Sequence, residues 1–559
     1  MVEVQTTGGV GAGLTLTNII FDDAGKKEGT VFAQAVSDGS VGAASNDNLV
    51  YVQDAIIASN ATVTTTITLG DGAVLRNFGG MSAVRATGEA KLVMEPGSVI
   101  EDASSITRSK GDAGSVGPAG AVWLQGSDFE MENGAEIKNV NGRAVYADGG
   151  SVSVGGTISG IIGNPAMWQG KDGTAIHLRG SAKATLNGKI SDCTEGVLVF
   201  VDKAVFEMAT GSFLGNSDAA GIKTNEDPTW SLVNKDDYGT DRNTITIHGE
   251  ISGIKNNKTP IQFKFGTLLI GADSNIHHNS VFYGTLYIQR DAIVDIYGKI
   301  NNNDASSRGG GVATAGHGEV VINMYEGAEV KGNTAVKNGG GIMISSNTSF
   351  TMYGGEISGN VSQTVGGGIY QYKNNSKVEL QGGTIRDNTM NATDVKDSST
   401  GTENDITISN QGNGSSNHYL YISQNTELDN QNVYFQINST TVTPAENSLD
   451  IKLGNASKES VTALSGKADA NGWNAPLATF WAQRQLWPVM RPVSLPSFTS
   501  SCVPISLMPS LSAHGCNTSA GEAEQIVTSA PELTSLATAM TPSGRISLFQ
   551  YFSQKASAC

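Results

Sequence analysis

The chain has 559 residues, of which 69 are glycine and only 6% aromatic, and it carries a net charge of −17 with an isoelectric point near 4.9. An acidic balance with no basic run interleaved with aromatics argues against nucleic acid as a partner, and no stretch approaches the ~18 consecutive apolar residues of a membrane span. Four scattered cysteines, Cys193, Cys502, Cys516 and Cys559, give neither a disulfide framework nor metal-ligand spacing.

Residues 1–5 lack the basic start and apolar core of a secretory signal. Residues 13–22 already have the composition of a strand inside a repeat array, with no cap ahead of them, whereas stacked arrays need protected ends. The expectation is a chain that begins inside a longer protein. From Leu69 a loose sentence recurs: an apolar residue, a Gly or Pro-Gly turn, a β-branched residue and often a terminal asparagine. Copies lie at 69–74, 94–99, 131–137, 154–158, 186–190, 208–216, 247–251, 270–279 and 296–300. Extra length between copies, such as 225–243, predicts loops projecting from one corner.

The sentence then becomes sharp. Gly309-Gly310-Gly311-Val312, Gly339-Gly340-Gly341-Ile342 and Gly366-Gly367-Gly368-Ile369 lead into Met324-Tyr325-Glu326-Gly327, Met352-Tyr353-Gly354-Gly355 and Leu380-Gln381-Gly382-Gly383. Each unit closes on an asparagine, Asn333, Asn360 or Asn388. A fixed period near 30 residues marks stacked supersecondary units. Within a unit, apolar and polar residues alternate over short stretches and glycine or asparagine interrupts them, a strand-turn-strand rhythm. One such turn of chain cannot bury its inward residues alone, but identical turns piled on one another form a continuous core. The prediction is an all-β parallel β-helix over 1–390, its terminal coils continuing to about Ser465, with some eighteen coils in all in a rod on the order of 85 Å long at about 4.8 Å per coil.

Glycines Gly311, Gly341, Gly368, Gly355 and Gly383 are assigned to corners, where a tight turn often demands positive φ. Asn333, Asn360 and Asn388 are assigned to a ladder whose amides hydrogen-bond from coil to coil, a structural role with no chemistry. Residues 391–476 read as worn or terminal coils with a Ser, Thr, Asn and Asp-rich loop at 391–417. From 477 the composition changes: this last stretch holds seven of the fourteen prolines, three of the four cysteines and no aspartate. It is predicted to be a disordered tail, either a wall-spanning linker or an artefact of translation in a wrong frame.

The Gly-Gly-Gly-Ile and Met-Tyr-Gly-Gly-Glu-Ile-Ser-Gly-Asn wording resembles the right-handed parallel β-helix repeats of bacterial surface and secreted proteins in the pectin-lyase-like superfamily. It is similar in kind to the glycine-glycine-aliphatic repeats of polymorphic outer-membrane adhesins, although the companion phenylalanine-x-x-asparagine element is missing. The likeness is strong over 309–390 and absent after 477. It implies a single-stranded right-handed β-helix and an extracellular or bacterial cell-surface location, while fold alone does not fix function.

Polysaccharide lyases and hydrolases share that superfamily. Hydrolysis needs two positioned carboxyl groups, and polygalacturonase-type members show four motifs on successive coils. Only Gly316-His317-Gly318 is present, which makes His317 the one weak catalytic candidate beside its plainer role as a turn residue. Asp22-Asp23 and Asp236-Asp237 sit far from it. A lyase would need a base beside carboxylates that hold calcium; Asp202, Glu207, Asp273, Asp291 and Asp295 are the candidates, or else ordinary corners of an acidic surface. His277 and His278 are adjacent, and neighbours on a strand face opposite ways, so no metal site and no cofactor is expected.

Aromatics recur at Trp123, Trp168, Phe263, Phe265, Phe282, Tyr283, Tyr287, Tyr297, Tyr325, Tyr353, Tyr370 and Tyr372. Stacked outward, they would offer sugar rings a ladder; turned inward, they would fill core gaps. Taken together, these residues point to a non-enzymatic adhesin or stalk presenting one face to a polysaccharide or host-surface ligand. The alternatives are a polysaccharide lyase or glycoside hydrolase, and a phage tailspike-like receptor binder, which would be a trimer.

Overall fold

The computed structural model describes residues 2–5, 13–22, 56–78, 82–103, 120–163, 173–224, 242–316, 318–372, 376–410, 418–422, 425–428, 433–437, 449–453, 468–469 and 472–473. His317, Trp168, Asp236, Asp237 and the tail expected from 477 lie outside these residues. The chain divides into two units, 1–482 and 483–559, and everything described belongs to the first.

Strands three to six residues long with period-two alternation bury one face each, and the chain satisfies them by winding. A full turn runs through Leu286–Ile288, Ala292–Ile296, Lys299–Asn301 and Asp304–Arg308. The next turn repeats it at Val312–Thr314, Val320–Met324, Glu329–Lys331 and Thr334–Ala335. Each strand pairs in parallel with its counterpart one turn on: Leu286 with Val312, Val294 with Ile322, Ile300 with Val330, Ala305 with Ala335. This is a parallel β-helix, and no α-helix interrupts it among the described residues. No helix there is long and apolar enough to cross a membrane.

First and second strands of the turns join one 28-stranded sheet, and third strands form a 14-stranded sheet. Fourth strands appear only from Ser280 onward and start a sheet of six. Third strands give fourteen turns, and Val433–Ile437 with Leu449–Leu453 adds the first and second strands of a fifteenth, a stack of about 72 Å at ~4.8 Å per turn. Among the described residues that is fifteen against the eighteen expected, and strands adjacent in the stack can lie far apart in sequence, as Leu14 beside Ile67 and Phe206 beside Ile245.

Inward positions superpose. The centre of the second strand runs Phe129, Val152, Ala184, Phe206 and Ile245 over successive turns, all buried. Smaller residues lie between the two phenylalanine rings, which keeps the column filled without strain. Past Met390 the winding continues, since Ile406–Asn410 pairs with Ile369–Gln371 and His418–Ile422 with Ser376–Leu380. Between them Thr402–Glu403 folds back antiparallel on Thr389–Met390.

Turn after turn, the chain makes the same sharp corner after its third strand. The residue there is left-handed at Asn139, Asp192, Asn216, His278, Asn302 and Asp387, and glycine takes the position at Gly253, Gly332 and Gly359. Asparagine, aspartate and glycine tolerate that conformation best. The next residue points inward, and it decides what sort of core the corner has.

Candidate functional site

In the early turns that inward corner residue is Val140, Ile161, Cys193, Ser217 and Ile254; later it is Asn279, Asn303, Asn333, Asn360 and Asn388, all buried. The five asparagines form one column. Nδ2 of each donates to Oδ1 of the next, at 2.9 Å from Asn279 to Asn303, 2.9 Å to Asn333, 3.1 Å to Asn360 and 2.9 Å to Asn388. The second Nδ2 hydrogen goes to a carbonyl of the preceding turn, for example Asn360 to Val330 at 2.9 Å. Each Oδ1 also accepts from the backbone N–H one turn before, as Asn360 does from Asn333. Asp405 ends the column by accepting from Asn388 Nδ2 at 2.9 Å.

Gly311, Gly341 and Gly368 require a correction. They are not left-handed; positive φ belongs to the first glycine of each triplet, at Gly309, Gly339 and Gly366. What demands glycine at the third position is space. A Cβ on Gly341 would lie 2.7 Å from the Gly368 carbonyl and 3.0 Å from Asn360 Nδ2, and one on Gly368 would lie 3.0 Å from Asn388 Nδ2. The next turn's carbonyl and, just beyond it, the amide column occupy the volume a side chain would need, so the glycine and asparagine signals belong to one packing arrangement. Gly355 and Gly383 do carry positive φ, 89° and 90°.

Of the candidate carboxylates, Glu207 and Asp295 share a column on the outer face of the second strand, separated by the Thr246 and Leu269 rungs. Asp202 ends a first strand, and Asp273 and Asp291 sit in turns between strands. The structure does not bring these five together. Three of them have local partners: Asp273 accepts from Thr210, Asp291 from the Glu319 N–H, and Asp295 from Asn323.

The histidine pair departs from expectation. His278 occupies the left-handed corner, with φ of 52°, so the strand's alternation stops at His277 and the two rings turn to the same side. Their Nδ1 atoms lie 2.6 Å apart, with ring centroids 4.9 Å apart and nearly perpendicular.

The aromatics fall into two outward columns and the core. Phe263 is a core residue. Tyr297, Tyr325 and Tyr353 follow the second strands of three consecutive turns and stack, with centroids 4.3 and 5.4 Å apart and planes at 2° and 20°. Tyr325 has both faces covered by its neighbours and its hydroxyl donates to Asp295 at 3.3 Å, while Tyr353 at the end of the stack is 53% exposed. Burial, then the Asp295 carboxylate, pushes the Tyr325 hydroxyl up to about 12.

The longer column follows the centre of the first strand's outer face. In register it runs Arg85, Trp123, Tyr146, His177, Phe200 and Lys223. It continues through Gln262 to Tyr287, Ala313, Met343 and Tyr370. Trp123, Tyr146, His177 and Phe200 are 3 to 6% exposed, and Arg85 lies over the Trp123 ring at 4.0 Å. This half is covered.

The later half is covered at its centre as well: Ala313, Met343 and Tyr370 are 0, 6 and 1% exposed and form a small buried cluster. Its rim is not covered in the same way, since Tyr283, Tyr287, Arg308 and Tyr372 are half-buried and Phe282 is 46% exposed. Tyr283 stacks on Tyr287 at 5.7 Å, and Tyr372 on Tyr370 at 5.6 Å. The Arg308 guanidinium lies over Tyr372 at 5.3 Å, and Phe282 packs against Tyr283. The corner flanking Ala313 is bare, because a Cβ on Gly309 would lie 2.6 Å from the Ala313 methyl. Sequence reasoning places these tyrosines in one pool; only register shows which share a column.

No family model, no curated protein and no solved structure matches the chain. The geometry defines a parallel β-helix repeat protein with a patch of aromatic rings, Phe282, Tyr283, Tyr287 and Tyr372, on one outer face.

Proposed function

We propose that this is a non-enzymatic surface or secreted β-helix protein of bacterial type, an adhesin or stalk that holds a polysaccharide or host-surface glycan against the aromatic patch of Phe282, Tyr283, Tyr287 and Tyr372. The observation that carries the proposal is the gathering of these accessible or half-buried rings with the Arg308 guanidinium on one outer face. Aromatic rings accept the apolar faces of sugar rings, and a guanidinium adds a planar donor for a sugar hydroxyl or carboxylate. A rigid sheet fixes their spacing, so little ordering is required on binding.

Binding of the full chain to a panel of immobilised polysaccharides and host glycans tests this. The double substitution Tyr287→Ala, Tyr372→Ala is expected to weaken binding roughly tenfold, taking ~0.5–1.5 kcal/mol per aromatic contact. His317→Ala leaves it unchanged. Unaltered binding by the tyrosine variant overturns the proposal, and so does release of unsaturated or reducing ends from the polymer, which would mark a lyase or hydrolase instead.

A further inference from the structure

A second, unrelated feature of the surface has ligand chemistry of its own. His277 and His278 sit at the corner after a third strand, His277 partly buried and His278 exposed. The left-handed φ of His278 brings both Nδ1 atoms to one point, 2.6 Å apart. Two imidazole nitrogens that close require a single proton between them, because two lone pairs or two N–H groups would repel. The Glu250 carboxylate settles which ring holds its lone pair there. Its Oε1, anchored by the Ser252 hydroxyl at 2.8 Å, lies 3.3 Å from His277 Nε2, which favours the hydrogen on that nitrogen and leaves Nδ1 of His277 bare. A carboxylate on the far nitrogen of an imidazole is the usual support of a metal-binding histidine, fixing its tautomer and orientation.

We propose that His277 and His278 form a transition-metal site, with a divalent cation replacing the proton shared by the two Nδ1 atoms. Two imidazoles with the remaining positions left to water favour copper(II), the strongest binder of nitrogen sites in the divalent series, over nickel(II) and zinc(II). A small opening of the 2.6 Å gap admits the ion, and His278, being exposed at the end of its strand, is free of core packing that would resist this. Calcium has no place here, since it takes oxygen ligands. The site is independent of the aromatic patch and stands whether or not that patch binds sugar.

Titration of the full chain with copper(II), followed by calorimetry and by the nitrogen hyperfine pattern in electron paramagnetic resonance, tests the site. His277→Gln and His278→Asn are each expected to remove one equivalent of bound copper; asparagine keeps the left-handed corner, so the fold is retained, as circular dichroism will show. Glu250→Gln is expected to weaken that equivalent about 10- to 100-fold. Stoichiometry and spectrum unchanged in both histidine variants would overturn the proposal, as would a full chain that binds no copper.

Discussion

At the residue scale, glycine does two different jobs in this chain, and substitution separates them. Gly327 has φ of 85° and open space, with nothing within 4 Å of where a Cβ would stand, whereas Gly341 has an ordinary φ and no room. Gly327→Ala is expected to cost about 1 kcal/mol, the ordinary penalty of a left-handed residue with a Cβ. Gly341→Ala pushes on the Gly368 carbonyl and the Asn360 amide, neither of which can yield without breaking a hydrogen bond, and is expected to cost about 1–3 kcal/mol. Chemical denaturation of the two variants checks the order. A negligible loss at Gly341 would mean that space does not govern the third position of the triplets. Both positions look alike in the sequence, since glycine itself does not say whether φ or a neighbour requires it.

At the scale of the element, the tyrosine stack is a device of the turn after the second strand. Tyr325 takes its raised hydroxyl from burial between Tyr297 and Tyr353 and from the nearby Asp295. Its folded value, about 12, stands above the ~10 of an unfolded tyrosine. The sign follows from proton binding: between these values the unfolded chain has lost the proton and the folded chain keeps it, so stability falls as pH rises. Wild-type protein should therefore lose stability between about pH 10 and 12, and Tyr325→Phe should flatten that slope. Thermal melts across the range measure it; identical slopes would remove Tyr325 as the source. The Met-Tyr repeat is legible in the sequence, but an outward sugar ladder and a self-stacked column have the same spacing, and only ring orientation distinguishes them.

At the scale of the whole molecule, stability is a sum over turns and their interfaces, and the asparagine column ties successive interfaces together. Asn360→Ala leaves Asn333 N–H, Asn333 Nδ2 and the Val330 carbonyl without their partner. At about 1–3 kcal/mol for each of these three unsatisfied buried groups, the loss is on the order of 3–9 kcal/mol. Hydrogen exchange should show reduced protection across 300–390 together, because a break in the column uncouples the turns on both sides. A loss confined to residues beside position 360 would show that the turns open independently.

Much of this architecture is present in the sequence by itself. Alternation and the near 30-residue period determine a stacked all-β winding, because short amphipathic strands bury one face by piling on their own repeats; spacing places Asn333, Asn360 and Asn388 in one ladder, while Asn279 and Asn303, in turns without a glycine triplet ahead of them, join it only in the structure. Tertiary structure decides what spacing cannot express. Register sorts the tyrosines into a stacked column after the second strands and a patch along the first strands; a left-handed corner reverses the expected divergence of His277 and His278; and the next turn's carbonyl with the amide column, not backbone conformation, accounts for the third glycine of each triplet. The physical reason is common to all three: period determines which residues are equivalent, while their orientation and the space between them depend on neighbours a full turn away.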